Sequence, residues 1–405
     1  MGATRAWCTL IGALLLQLCT VGCVSSFGIF QDFYSTKWLI HSSASDISWI
    51  GSMQLFLDLG LGIIGGKLYD AGYCRSTLLV GSLLFSFCSF MLSLAKENQY
   101  YQVFLSQGLG MGLGIALIYI PTCTLVAQHF KSRKAFAMGL LVSSSPLGGL
   151  MLTIMQNRLI HSNVGFQWGV RASAFLATGC LAVGNLLITI PPKSPPQPGH
   201  QADKGARLRD WPFSLTLIGG FVAQLGTFFP VFYVQLFARD HGISSDLAFY
   251  SLAILNVAGA VGRIIPNYLA DILGAINMLI VCFLCSGLVG FAMLACDHVV
   301  GLVLFCIFYG FFFNGVISLY LPAAITLAPR EGDLGTTLGI AIVPVGVASL
   351  IGNPVIGAIL GPKLIWWKGV TFASVSLIAS AFFQAAAQII HVRRSRKVPA
   401  PSTIS

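Results

Sequence analysis

Two ionisable side chains stand inside stretches of sequence that are otherwise apolar. Asp58 occupies the centre of Ser52-Met53-Gln54-Leu55-Phe56-Leu57-Asp58-Leu59-Gly60, and Arg263 falls in Gly262-Arg263-Ile264-Ile265-Pro266-Asn267. An Asp or Arg at the centre of a membrane-spanning helix costs about 2.5–3.5 kcal/mol on insertion scales, so such residues turn toward a partner or an aqueous path. A guanidinium in that position can bind an organic anion through charge-assisted hydrogen bonds, or it can serve a structural ion pair or a cap. Asp58 can exchange a proton in a coupled cycle, or make a polar contact between two parts of the molecule. Asp70 and Asp271 each close an apolar stretch, and Arg75 follows the first of them. An acid so placed can sit near the N-terminal end of the next helix and pair with a base, holding one conformation until the parts move.

These residues need long apolar elements to carry them, and the chain consists of little else. Of its 405 residues 56% are hydrophobic and 9% charged, against roughly 25% charged in soluble domains. A spanning helix takes about 20 apolar residues, and twelve stretches qualify: 7–34, 46–70, 75–95, 99–128, 134–157, 168–190, 212–238, 246–271, 274–296, 299–327, 335–360 and 366–391. The first is too long for a signal peptide and has no small-residue cleavage site, so it reads as a retained helix. Backbone polar groups in a bilayer must be satisfied internally, which makes the fold class an all-α membrane protein.

The twelve stretches are six written twice. Tyr119-Ile120-Pro121 returns as Tyr320-Leu321-Pro322, Leu68 and Asp70 return as Leu269 and Asp271, and Ala137-Met138-Gly139 is echoed by Thr337-Leu338-Gly339, each about two hundred positions on. Parallel six-helix repeats mark secondary transporters that rock about a central site. The expected organisation is an N-terminal half over 1–190, a Pro-rich linker over 191–211, a C-terminal half over 212–391 and a basic tail over 392–405. Sixteen of the 23 Lys and Arg, Arg263 among them, lie on or toward the linker side, so the positive-inside bias predicts cytoplasmic termini in a multi-pass protein of the cell membrane. The net charge of +10 is then loop charge facing anionic lipid, and nucleic acid is excluded as a partner.

Other chemistry is not supported. The eleven cysteines lie mostly in apolar helices, where a thiol behaves as a small hydrophobe, and Cys282-Phe283-Leu284-Cys285 has redox spacing without a soluble fold around it. There is no phosphate-binding loop, nucleophile elbow or metal-ligand spacing, so an enzyme, a cofactor and a metal are all unexpected. Gly108, Gly110, Gly112 and Gly114 in the fourth stretch, with Gly60, Gly62, Gly65 and Gly66 in the second, suit close helix packing and smooth faces that can rock.

The run Gly65-Gly66-Lys67-Leu68-Tyr69-Asp70-Ala71-Gly72-Tyr73-Cys74-Arg75 resembles the loop between the second and third helices of the major facilitator superfamily. Ala6-Trp7, Ser26-Phe27-Gly28-Ile29-Phe30-Gln31, Ser48-Trp49-Ile50-Gly51-Ser52, Gln107-Gly108-Leu109-Gly110, the segment His129 to Gly139 and Gly262 to Asn267 look like its fungal monocarboxylate-porter branch. The resemblance implies a cavity lined by the first, fourth, seventh and tenth helices. That nominates Gln31, Tyr119, Gln224, Tyr233, Asn314 and Tyr320, joined by Asn256 and Arg263 of the eighth, as substrate contacts. Two departures stand out: Ile29 replaces a helix-one lysine of the animal carriers, and Gly259 replaces the acid four residues before their arginine. Two functions follow as expectations for a monomer binding a small molecule, with proton coupling through Asp58. One is transport of a monocarboxylate-like anion on Arg263; the other is efflux of a fungal secondary metabolite. A non-transporting receptor would need soluble signalling segments that the chain lacks.

Overall fold

The computed structural model describes residues 2–42, 44–130, 133–160, 162–191, 210–328, 334–361 and 365–397. Twelve helices among them are long and apolar enough to cross a membrane: α1 Thr4–Gln31, α2 Trp49–Asp70, α3 Cys74–Leu92, α4 Tyr100–His129, α5 Lys134–Ile160, α6 Gly165–Leu187, α7 Trp211–Asp240, α8 Tyr250–Leu273, α9 Ala275–Ala295, α10 Val299–Leu327, α11 Leu334–Leu360 and α12 Trp366–Arg394. No strand occurs among the described residues. The linker predicted over 191–211 lies almost wholly outside the described residues. The last helix runs on to Lys397, past His391 where the sequence places its end, and Arg394 pairs there with Asp210 just ahead of α7.

Several helices are not the straight rods that their hydropathy suggests. In α1 the helix breaks at Ser26 (φ −92°, ψ 0°) and resumes at Phe27. The Ser26 hydroxyl donates to the Cys23 carbonyl at 2.8 Å, a back-bond that competes with the helical ladder. The repeat-related place in α7 also breaks, at Phe228 (φ −88°, ψ −2°), and Pro230 opens the new segment. A third break sits in α2 at Leu61. π-Helical turns widen the ends of two helices on the face away from the linker, over Tyr34–Trp38 after α1 and Phe104–Met111 in α4. The Tyr34 hydroxyl joins them by donating to Gln107 Oε1 at 2.7 Å.

One core cluster lies within the first half, around Phe30, Tyr34 and Phe85, and the other centres on Phe213, Phe283 and Tyr309 of the second half and continues into the first through Tyr119, Met138 and Leu141. The halves meet where α5 packs on α8 and α2 on α11. Glycine is required at the closest approaches. A Cβ at Gly139 would lie 2.6 Å from Asn267 Cβ, and one at its repeat mate Gly339 would lie 2.5 Å from Ile63 Cα. A smooth face at each seam lets helices of opposite halves touch backbone to backbone.

Candidate functional site: the central cavity

A cavity of about 930 Å³ lies between the halves. Gln31, Tyr119, Gln224, Tyr233, Asn256, Arg263, Asn314 and Tyr320 all line it, and so does Asp58. Sequence reasoning missed its aromatic wall, formed by Phe27, Trp49, Phe228, Phe232, Phe283 and Phe313, and the contribution of Val142, Ser145 and Pro146 from α5. Aromatic residues in apolar helices carry no sequence mark that separates a cavity wall from a lipid-facing side. The available signal was Pro230, which opens the segment after the break at Phe228; Ser26 is not a strong helix breaker.

Some polar lining groups are committed to holding the wall. Gln224 Nε2 donates to Ser349 Oγ at 2.7 Å, tying α7 to α11. The Tyr320 hydroxyl donates to the Ala341 carbonyl at 2.9 Å, tying α10 to α11. Tyr233 stacks on Phe229 with ring centroids 5.2 Å apart. These contacts keep the C-terminal wall in shape and leave the rest of each side chain facing the cavity.

Arg263 is 7% exposed, and its partners are neutral. Nε donates to Asn314 Oδ1 at 2.8 Å, and Nη1 donates to the Val142 carbonyl of the opposite half at 2.5 Å. Asn314 is held in turn by its Nδ2, which donates to the Gly310 carbonyl at 2.9 Å. Gly259 is what makes room for this arrangement, since a Cβ there would come within 2.7 Å of Asn314 Cγ. The missing acid is therefore replaced by an amide arriving from α10, and the arginine has no acid hydrogen-bonded to it. Among the described residues no carboxylate is within ion-pair distance of it.

Asp58 is the repeat mate of Gly259, one turn before Gly62, as Gly259 is one turn before Arg263. It is 1% exposed, and its Oδ1 has no hydrogen-bond partner. One turn earlier, Gln54 is fully buried, with both amide atoms lacking a partner. An acid with unmet hydrogen-bonding capacity is costly unless something else fills it. A proton on the carboxyl or a polar group of a bound solute are the two candidates that the cavity offers. Tyr119 lines the same cavity as Asp58 and Arg263.

The carboxylates of Asp70 and Asp271 reach across between the halves. Asp70 accepts the Gly335 N–H at 3.0 Å and the Thr336 N–H at 2.5 Å, at the N-terminus of α11. Asp271 accepts the Ala135 N–H at 3.0 Å and the Phe136 N–H at 2.9 Å, at the N-terminus of α5. The helix end that each acid reaches belongs to the opposite half, where the sequence reading expected the next helix in the chain. The reason is the seam itself: Gly66 and Gly335 pack so closely that a Cβ on Gly66 would sit 2.6 Å from the Gly335 carbonyl carbon. Arg75 donates to the Ile188 carbonyl at 3.1 Å, pinning α3 to the end of α6 within its own half. Both caps lie on the linker face, so that face is closed.

Residues 13–332 match the profile described as Major Facilitator Superfamily. The aspyridones efflux protein of Emericella nidulans is 35% identical over 361 residues, covering 89% of this chain and 72% of that protein. The agnestins efflux protein of Paecilomyces divaricatus is 36% identical over 378 residues, covering 93% and 86%. Among solved structures, the Escherichia coli fucose:proton symporter superposes with a TM-score of 0.72 at 15% identity over 94% of this chain and 98% of that one. The proton:xylose symporter bound to a bromodeoxyglucose superposes with a TM-score of 0.72 at 15% identity, over 97% and 96%.

Proposed function

The chain belongs to the Major Facilitator Superfamily, and we propose that it exports a largely apolar organic metabolite by alternating access, with Asp58 as the proton-coupling carboxylate. It is a transporter of a membrane-embedded fold and not an enzyme. The observation that carries the export reading is the cavity: about 930 Å³ with an aromatic wall and scattered amides and phenols. Pockets for drug-sized ligands span roughly 300–1,000 Å³, far more than a three-carbon acid can fill. The relatives named as efflux proteins for aspyridones and agnestins support the same choice.

A second reading, transport of a monocarboxylate-like anion, rests on Arg263, whose guanidinium is hydrogen-bonded to an amide and a carbonyl and to no acid. A carboxylate bound there would supply one, while an aromatic metabolite bearing an acidic group would satisfy both observations. Closed caps on the linker face and a cavity bounded by Gln31, Trp49 and Gln235 toward the other face suit a state open away from the linker.

The test uses proteoliposomes with an imposed proton gradient. Loaded aspyridones or agnestins are expected to be transported, and radiolabelled lactate is not. Lactate transport with no movement of the larger compounds would reverse the two readings.

A further inference from the structure

The Arg263–Val142 bond depends on a second residue that carries no polar atom of its own. Pro146 lies inside α5, four residues after Val142. A proline within a helix has no N–H to give to the carbonyl four positions earlier, so the Val142 carbonyl is deprived of its helical donor. Arg263 Nη1 supplies one from the opposite half at 2.5 Å.

The duplicated sequence provides an internal control. The repeat mates of Arg263, Val142 and Pro146 are Gly62, Ile342 and Gly346. At that mirror seam Gly346 has an N–H for the Ile342 carbonyl. A Cβ at Gly62 would meet the Ile342 side chain at 2.8 Å, so the contact there is apolar. In α11 Pro344 withdraws its donor from the Ile340 carbonyl instead, so a proline-vacated carbonyl occurs in both helices, and the α5–α8 seam differs in having a guanidinium bonded to it. Backbone approach at the two seams is otherwise alike, Gly139 against α8 and Gly339 against α2.

We infer that Pro146 is a positioning residue for Arg263: by leaving the Val142 carbonyl open it fixes the guanidinium at the cavity wall and bonds the halves together while the linker face is closed. The bond holds one of the five N–H donors of the guanidinium and Asn314 holds a second, which leaves others for a solute. When the halves rock apart, this bond must break, and both groups then require water or substrate. The inference rests on reading the cavity as an alternating-access site.

Hydrogen–deuterium exchange of the purified full chain in nanodiscs, with no solute added, tests it. Peptides containing Ala135 and Phe136, and Gly335 and Thr336, report opening of the linker face. Charge-assisted hydrogen bonds are worth enough to shift an opening equilibrium roughly tenfold or more. Pro146→Ala restores the N–H, so it is expected to speed exchange of those amides by at least about tenfold, as is Arg263→Gln. The double variant is expected to exchange no faster than Arg263→Gln alone, because both changes remove the same bond. Additive acceleration in the double variant would mean that the proline acts by bending α5, and would overturn the inference. Unchanged exchange in Arg263→Gln would overturn it as well, whether or not the Pro146→Ala protein folds. Since no solute is involved, a failed export assay leaves this result standing.

Discussion

The Asp70 carboxylate and the Thr336 N–H sit 2.5 Å apart across the boundary between two halves of one chain. Asp271 makes the reciprocal bonds to the start of α5. A carboxylate at a helix N-terminus satisfies two otherwise unpaired N–H groups and meets the positive end of the helix dipole. Here each half caps a helix of the other, so the caps exist only while the linker face is shut.

Removing a cap should therefore act on the cycle more than on binding. Asp70→Ala loses a cap worth about 0.5–2 kcal/mol plus a dipole contribution of about 0.3–1 kcal/mol. The expected result is slower turnover with a half-saturating concentration changed less than the rate, and a similar result for Asp271→Ala. Transport measured over a range of substrate concentrations decides it; weak binding with normal maximal turnover would refute the latch.

The seam glycines give a steric version of the same test. A Cβ on Gly66 would lie 2.6 Å from the Gly335 carbonyl carbon, closer than real Cβ contacts allow. Gly66→Val is expected to keep the linker face from closing, seen as faster deuterium exchange at residues 335 and 336. Unchanged protection there would show that the seam can absorb the side chain.

Hydropathy and internal duplication are properties of the chain itself and were enough to locate the spans and the repeat, whereas the polar residues of the cavity were nominated through the family resemblance. Asp70 as a cap was legible as far as its chemistry, but its partner was not, since Gly335 and Thr336 are brought to it by the packing of Gly66 against α11. The same holds for Arg263, where the missing acid at Gly259 could be read but the incoming Asn314 could not. The helix break at Ser26 was hidden because helical propensity at a single position is easily overridden by tertiary contacts, whereas the one at Phe228 was marked in the sequence by Pro230, which suits a first helical turn.

Asp58 is the natural place to break coupling. With Oδ1 unpartnered and the side chain at the cavity wall, Asp58→Asn keeps the shape and removes the titrating group. Gradient-driven accumulation of substrate in proteoliposomes is expected to vanish, while exchange of substrate at equal concentrations on both sides continues. Accumulation that still follows the proton gradient would place coupling elsewhere.

Topology follows from the loop charges. With sixteen of 23 basic residues on or toward the linker side, reporter fusions within the linker and at Ser405 are both expected to read as cytoplasmic. A signal from outside at either position would break the proposed orientation.

Arg263 decides between the two substrate readings. Its side chain touches only neutral groups, Asn314 and the Val142 carbonyl, so its positive charge remains available to a bound anion. Arg263→Gln keeps an amide near the position of Nε while deleting the charge and the outer nitrogens that reach Val142. A charge-assisted hydrogen bond contributes about 1.5–3 kcal/mol, equivalent to roughly 10- to 150-fold in affinity. An anionic substrate should lose affinity on that scale while protein still reaches the membrane at normal levels. A neutral metabolite should bind about as before, with only the opening of the linker face altered. Measuring the half-saturating concentration for an acidic compound and for its methyl ester separates the outcomes: selective loss of the acid assigns the charge to substrate recognition, and equal affinity for acid and ester in both proteins removes Arg263 from the binding site.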